Sequence, residues 1–303
     1  MNNGGDIMKL KKIASMLIVS ALFLTGCTSA KSGKEEVNNI PKESVKVVAD
    51  AVAVSQVLDK LDAEVIGIPT TKMDMPEKFK GLPEVGQSLN PDLEIVASLQ
   101  PDVFVMDKMF KDKVEESMKD YDINTFFFDT TTYSNFLSSI EELGKEIKKE
   151  DEAKKLIETL KESENEVISK KGDKEPTVAI LFGGGENFML ATKDSYLGDL
   201  VKTVGAKNIT DNMDGKVESA YMQFSLEQIL EKNPDYVLRF AHGNLDETKK
   251  AFDDAFAKNP AYGELDAVKN GKVIDLDPNV FNVSANIKIT EAIKTLGELL
   301  YGE

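Results

Sequence analysis

A short unit occurs twice in this chain. Leu99-Gln100-Pro101-Asp102-Val103-Phe104-Val105 and Glu231-Lys232-Asn233-Pro234-Asp235-Tyr236-Val237-Leu238 each close a helical stretch, turn at Pro-Asp and enter an apolar run of strand length. Proline cannot continue the helix, and the residue before it avoids the right-handed helical region, so the break is sharply placed. A chain that repeats this unit so far apart is expected to have two halves of similar build, each alternating helix and strand.

The hydrophobic pattern agrees. In the first half, strands are predicted at 45–49, 65–68, 103–106 and 124–128, with helices at 54–61, 92–99 and 111–119. Val54, Val57, Leu58 and Leu61 carry the i, i+3, i+4, i+7 spacing of one helix face. From Ser134 the pattern becomes purely helical. Leu137, Ile140, Leu143 and Ile147 form one stripe, and Ala153, Leu156, Ile157, Leu160, Val167 and Ile168 form another, ended by Lys170-Lys171-Gly172. Alternation then resumes, with strands at 177–182, 236–240 and 273–276 and helices at 196–204, 226–232, 248–258 and 285–300. Gly183-Gly184-Gly185 reads as a loop, and no Lys-Ser/Thr follows it as a phosphate loop requires. Strand and helix in turn imply an α/β fold with mainly parallel sheets. The expected organisation is a signal segment 1–26, a flexible tether 27–44, an N-terminal lobe 45–150, a connecting helix 151–172 and a C-terminal lobe 173–303.

The first residues read as an address. Lys9, Lys11 and Lys12 precede an apolar run, 13–24, of signal-peptide length and too short to span a bilayer comfortably. Leu24-Thr25-Gly26-Cys27 follows and resembles the lipobox of bacterial lipoproteins, in which the cysteine is acylated and the signal is cut just before it. Cys27 is the single cysteine of the chain. Lipidation at Cys27 and a place on the extracytoplasmic face of the cell membrane are the expectation.

Composition excludes several classes. Asp and Glu number 53 against 37 Lys and Arg, for a net charge of −16. Binding to a nucleic-acid backbone needs a basic face, so a nucleic-acid partner is not expected. One cysteine and one histidine rule out a disulfide framework or a multi-histidine metal cluster built by one chain. No Gly-x-Ser-x-Gly stretch is present, and a lone histidine leaves little base chemistry, so an enzyme is not expected.

Further motifs point to a family. Pro83-Glu84-Val85-Gly86, Asn90-Pro91-Asp92-Leu93-Glu94 and Ser225-Leu226-Glu227-Gln228-Ile229-Leu230, together with the two Pro-Asp units, resemble the iron-chelate and cobalamin binding proteins of bacterial ABC importers. Ser195-Tyr196-Leu197-Gly198-Asp199-Leu200-Val201, Leu238-Arg239-Phe240-Ala241-His242-Gly243 and Val283-Ser284-Ala285-Asn286 resemble its haem branch. The resemblance implies two Rossmann-like lobes joined by a single long helix, the class III periplasmic-binding-protein architecture, with a ligand cleft between them. It implies haem as the transported ligand, an ABC permease with its ATPase as partner, haem-donating surface proteins upstream and a monomer anchored to the membrane by lipid. A ferric-siderophore or cobalamin carrier is the alternative in the same class, and a surface enzyme acting on haem or a small ester the alternative outside it. A single Arg and no Trp speak against a siderophore pocket.

His242 follows a predicted strand at its carboxyl end, where α/β sheets place ligand loops, and a neutral imidazole is a common axial ligand of haem iron. The resemblance makes it the iron ligand. At the matching position for a second, methionine ligand this chain has Leu89, which cannot coordinate iron. Met73 and Met75, in a polar loop, are the thioether candidates, and five-coordinate iron on His242 alone is equally open. Met106, within a strand, reads as core filler. Val52, Ala53, Thr71, Lys72 and Leu89 match haem-contact positions, with the N–H groups ahead of the first helix suited to propionates. Phe281 and Tyr221 are candidates to flank the porphyrin. Glu94 and Glu227 hold equivalent places in the two halves and match the carboxylates that pair with permease arginines.

Overall fold

The computed structural model describes residues 44–184, 187–212, 219–223, 226–241, 245–281 and 284–302. Lobe one runs β1 (Lys46–Ala49), α1 (Val52–Lys60), β2 (Glu64–Gly67), β3 (Gly86–Gln87), β4 (Asn90–Pro91), α2 (Leu93–Leu99), β5 (Val103–Asp107), α3 (Lys111–Met118), β6 (Thr125–Phe128) and α4 (Tyr133–Glu146). Its main sheet is parallel throughout, in the order β2-β1-β5-β6, while β3 and β4 form a small antiparallel hairpin beside it.

α5 (Glu150–Lys171) leads into lobe two: β7 (Thr177–Gly184), β8 (Asn187–Ala191), α6 (Tyr196–Thr203), β9 (Lys207–Asn208), β10 (Tyr221–Met222), α7 (Leu226–Lys232), β11 (Tyr236–Ala241), α8 (Leu245–Lys258), α9 (Asp266–Lys269), β12 (Val273–Asp275) and α10 (Ile289–Tyr301). The second sheet has the order β10-β8-β7-β11-β12, with β9 beside β7. β7, β11 and β12 are parallel, but β8 and β10 add an antiparallel edge that the alternating pattern did not announce.

The Pro-Asp units do the same work in both lobes. Gln100 and Asn233, which end α2 and α7, both take the left-handed conformation, with φ of 49° and 39°. The aspartate two residues on then turns to the first strand of its lobe. Asp102 Oδ2 accepts the Lys46 N–H at 2.7 Å, and Asp235 Oδ2 accepts the Thr177 N–H at 2.8 Å. One motif thus stops a helix, opens a strand and ties that strand to the lobe's first.

Residues alternate between two faces along each strand. On one face, Val47, Ala49, Val103 and Val105 of lobe one and Val178, Ile180, Leu238 and Phe240 of lobe two join a single apolar core. Ala153, Leu160 and Val167 of α5 and Ile289, Ile293 and Leu296 of α10 complete it. The opposite faces carry separate cores, Val48, Phe104 and Met106 in one lobe and Ala179, Leu181 and Val237 in the other. Each such buried Val, Leu or Ile side chain contributes about 1.5–3 kcal/mol, so α5 is held by burial along one face and does not hang free between lobes. Its ends suit the helix dipole, with Glu150, Asp151 and Glu152 in the first turn, Lys170 and Lys171 in the last and Gly172 at a φ of 58° beyond.

The lobes also meet through polar contacts. Asp199 of α6 accepts the Ser134 N–H at the start of α4 at 3.0 Å, and the Ala285 N–H donates to the Thr130 carbonyl at 2.8 Å. Gly183 and Gly184, expected from sequence to lie in a loop, are strand, because β7 continues through Gly184, while Gly185 lies outside the described residues. A side chain at Gly183 would meet Phe252 at 2.8 Å and Thr248 at 2.9 Å, so glycine is there to let α8 lie close on the strand.

Candidate functional site

A cleft of about 830 Å³ opens at the carboxyl edge of the first sheet. Val52, Ala53, the loop Thr70–Asp74, Gln87 and Ser88 form the lobe-one wall, and Asn279, Ser284, Asn286 and Lys288 form the facing wall. Its position follows from the sheet order: the crevice outside the carboxyl ends of parallel strands is where α/β folds bind ligands.

The lobe-one wall is built around the start of α1. Its N-cap is Ala51, which has no side chain to cap with, and its first turn carries no acidic residue. The first N–H groups of α1 therefore keep their donor capacity. In contrast, Asp92, Thr132 and Ser195 cap α2, α4 and α6 with side-chain oxygens. Ser88 reaches from the hairpin to donate its hydroxyl to the Asp50 carbonyl at 2.6 Å, and the Thr70 N–H donates to the Gly86 carbonyl at 2.7 Å. These bonds lock the hairpin and the loop after β2 against the start of α1.

Val52, Ala53, Thr71, Lys72 and Met73 all line this cleft. Met73 is 67% exposed, and its N–H donates to Thr71 Oγ1 at 3.0 Å. Met75 instead packs against the shared core, and Met106 is fully buried. Leu89 stands at the tip of the β3–β4 hairpin, 50% exposed and outside the lining of the cleft. Phe281 is a core residue, and Tyr221 is half-buried with its ring 4.5 Å from that of Phe182. Glu94 and Glu227 are exposed in the first turns of α2 and α7. Cys27 and His242 lie outside the described residues. His242 is the residue next after Ala241, the last of β11.

Lys288, Asn279, Ser284, Asn286 and Ser88 were not singled out as site residues from sequence. They sit on loops without periodicity, and the only signal was the resemblance of the 283–286 segment. Lys288 and Lys72 face the cleft from opposite walls, and neither forms an ion pair among the described residues. Asp74 is the acidic side chain in the lining.

Beneath the start of α1 lies a buried pair of acids at the ends of β1 and β5. Asp50 is 1% exposed, and its Oδ1 accepts the Asp107 N–H at 3.0 Å. Burial first of all pushes the Asp50 carboxyl well above the usual carboxylate range. The Asp107 N–H works against that shift and the Asp107 charge adds to it. Burial raises the Asp107 carboxyl as well.

The equivalent edge of lobe two carries Arg239, the single arginine of the chain. Its Nε and Nη2 donate to the two oxygens of Asp275, both at 2.7 Å, and Nη1 donates to Asp253 at 2.7 Å. The guanidinium also lies over the rings of Phe252 and Phe256. It is 7% exposed and held by both carboxylates.

A family model described as periplasmic binding protein matches residues 47–280. The chain belongs to the periplasmic binding protein family. Among curated members, the high-affinity heme uptake system protein IsdE of Staphylococcus aureus (strain MRSA252) is 32% identical over 296 residues, covering 97% of this chain and 99% of IsdE. A crystal structure of an ABC transporter substrate-binding protein from Listeria monocytogenes EGD-e superimposes with a TM-score of 0.77 at 33% identity, covering 86% of this chain and 100% of that one. The S. aureus IsdE structure complexed with heme gives a TM-score of 0.71 at 33% identity, covering 85% and 99%. The two-lobed class III architecture expected from sequence is that of the family. This periplasmic binding protein is a substrate-binding component, not an enzyme.

Proposed function

We propose that the chain is an extracytoplasmic, lipid-anchored haem-binding protein that delivers haem to an ABC permease and its ATPase. The observation that carries this reading is the similarity to IsdE over nearly the whole chain, at a cleft whose wall includes Val52, Ala53, Thr71 and Lys72. The chemistry of that wall suits the ligand. Free N–H groups at the start of α1 and the lysines at 72 and 288 favour two propionates on a protein of net charge −16.

In this reading His242 supplies the axial imidazole. Met73, on the cleft, is the thioether for the sixth position in place of Leu89, while Met75 is core filler. When bound, haem supplies the iron to be carried, and the protein's part is to hold, orient and release it. Residues 1–26 are removed, Cys27 carries lipid and 27–44 is the tether. Lobes 45–150 and 173–303 carry the cleft, with 151–172 between them. Glu94 and Glu227, exposed on the two lobes, meet the permease.

A siderophore carrier is disfavoured because the single arginine of the chain, Arg239, is already held by Asp275 and Asp253. The test is a haemin titration of residues 28–303 followed by absorbance. A saturable one-to-one change in the Soret band is expected. No saturable change would discard haem and bring siderophores forward.

A further inference from the structure

We propose that Asp50 is an un-ionised carboxylic acid in the folded protein, and that its proton makes occupancy of the cleft by an anionic ligand depend on pH. Asp50 acts here as a positioning residue for the start of α1, and the proposal rests on reading the cleft as a haem site.

The hydrogen bonds assign the proton. Asp107 uses both oxygens as acceptors: Oδ1 takes the Met109 N–H at 2.9 Å and Oδ2 takes the Thr130 hydroxyl at 3.0 Å. That is the pattern of an ionised carboxylate. Asp50 Oδ1 takes the Asp107 N–H, but Asp50 Oδ2 is buried with no hydrogen-bond partner among the described residues. No cation among the described residues compensates the pair. The charged groups around it are Asp107 at the end of β5 and Asp129 beyond β6, and Asp129 is already paired with Lys108 at 2.7 Å. The first turn of α1 carries no acidic residue, and Lys72 stands exposed on the cleft. Two adjacent acids buried together do not both ionise readily, and Asp50, whose side chain accepts one hydrogen bond against two for Asp107, keeps the proton. The upward shift of the Asp50 carboxyl, caused first by burial, agrees.

The consequence reaches the cleft through one residue. Asp50 directly precedes Ala51, the N-cap of α1, and its backbone is clamped by Val105 on one side and Ser88 on the other. An un-ionised acid leaves the positive end of α1 available to a ligand carboxylate. An ionised one sets a negative charge against it. Anion binding and proton binding then favour each other, and by linkage each strengthens the other equally.

Two measurements on the full chain test this, both comparing wild type with Asp50→Asn, which mimics the un-ionised acid. Infrared difference spectra should show the carbonyl stretch of a carboxylic acid in wild type that Asp50→Asn lacks. In haemin titrations carried across the pH range in which that band disappears, wild type should lose affinity relative to Asp50→Asn by roughly tenfold, the equivalent of one unit of linked pKa. Taking the ratio removes any titration of His242, which both proteins share. A missing carboxylic-acid band or coincident affinity profiles would overturn the proposal. If wild type itself gives no saturable haemin response at any pH, the haem reading fails and the linkage with it. That result is distinct from coincident profiles, where both proteins bind.

Discussion

The two lobes start their sheets in the same way and finish them differently. At the amino edge, Asp102 and Asp235 occupy matching places and each ties the first strand of its lobe to a Pro-Asp turn. At the carboxyl edge the symmetry ends. Lobe two puts Arg239 there and satisfies it with Asp275 and Asp253. Lobe one puts Asp50 and Asp107 there with no cation between them among the described residues, and that is the edge that lines the cleft. The repeated edge is scaffold, and the edge that departs from the repeat is where ligand chemistry is expected.

The largest effect should come from breaking the compensated edge. Arg239→Met leaves Asp275 and Asp253 without their partner. Denaturant unfolding should show a loss of about 2–3 kcal/mol, below the 3–5 typical of fully buried pairs, because Asp253 is 57% exposed. A loss under about 1 kcal/mol would mean that the cluster behaves as a surface ion pair and that the contrast between the edges is overstated.

The shared edge comes next, and there the lobes should differ only in degree. Asp102→Ala removes the acceptor of the Lys46 N–H. Asp235→Ala removes the acceptor of both the Thr177 N–H and its hydroxyl, each at 2.8 Å. Losses of about 1 kcal/mol and about 2 kcal/mol are expected, following the number of hydrogen bonds to charge. Equal losses would show that the second bond to Thr177 contributes nothing.

The uncompensated edge should show itself through pH. The carboxyl of Asp50 is raised, so the native state binds more protons than the unfolded chain. Stability then falls as pH rises from the unfolded value, about 3.9, through the folded one. Asp50→Asn should remove that slope, so wild type loses ground to the variant as pH rises. Parallel stability curves would leave the two edges electrostatically alike.

The smallest effect concerns how the lobes hold together. Asp199→Ala removes the acceptor of the Ser134 N–H at the start of α4, worth about 0.5–1 kcal/mol as for a lost helix cap. Because one face of α5 packs into the shared core along its length, small-angle scattering curves of the unloaded and haemin-loaded wild type should superimpose. A large compaction on loading would show that the spine hinges.

Much of this was legible in the chain because periodic burial is. Val54, Val57, Leu58 and Leu61 marked α1, and the Pro-Asp units marked the joints of both lobes. The two-residue strands β3, β4, β9 and β10 carry no period, so nothing in the pattern announced them. β8 was hidden behind a glycine run that reads as a loop but includes strand residues bearing α8. At the site, Val52, Ala53, Thr71 and Lys72 were singled out through resemblance and Met73 as a thioether in a polar loop; they stand together on one wall, which Leu89 does not join. Lys288 and Ser88 were not, because a loop residue's role depends on which wall the fold carries it to. The acids were missed for a related reason: Asp50 and Asp107 lie far apart in sequence, and only parallel pairing of β1 with β5 brings them together.

The central claim is that His242, next after the end of β11, ligates haem in the cleft. The direct measurement is the haemin titration of residues 28–303 repeated with His242→Ala. The account predicts a Soret band that is lost or shifted in the variant, with weakened binding. An unchanged spectrum at unchanged affinity would contradict it.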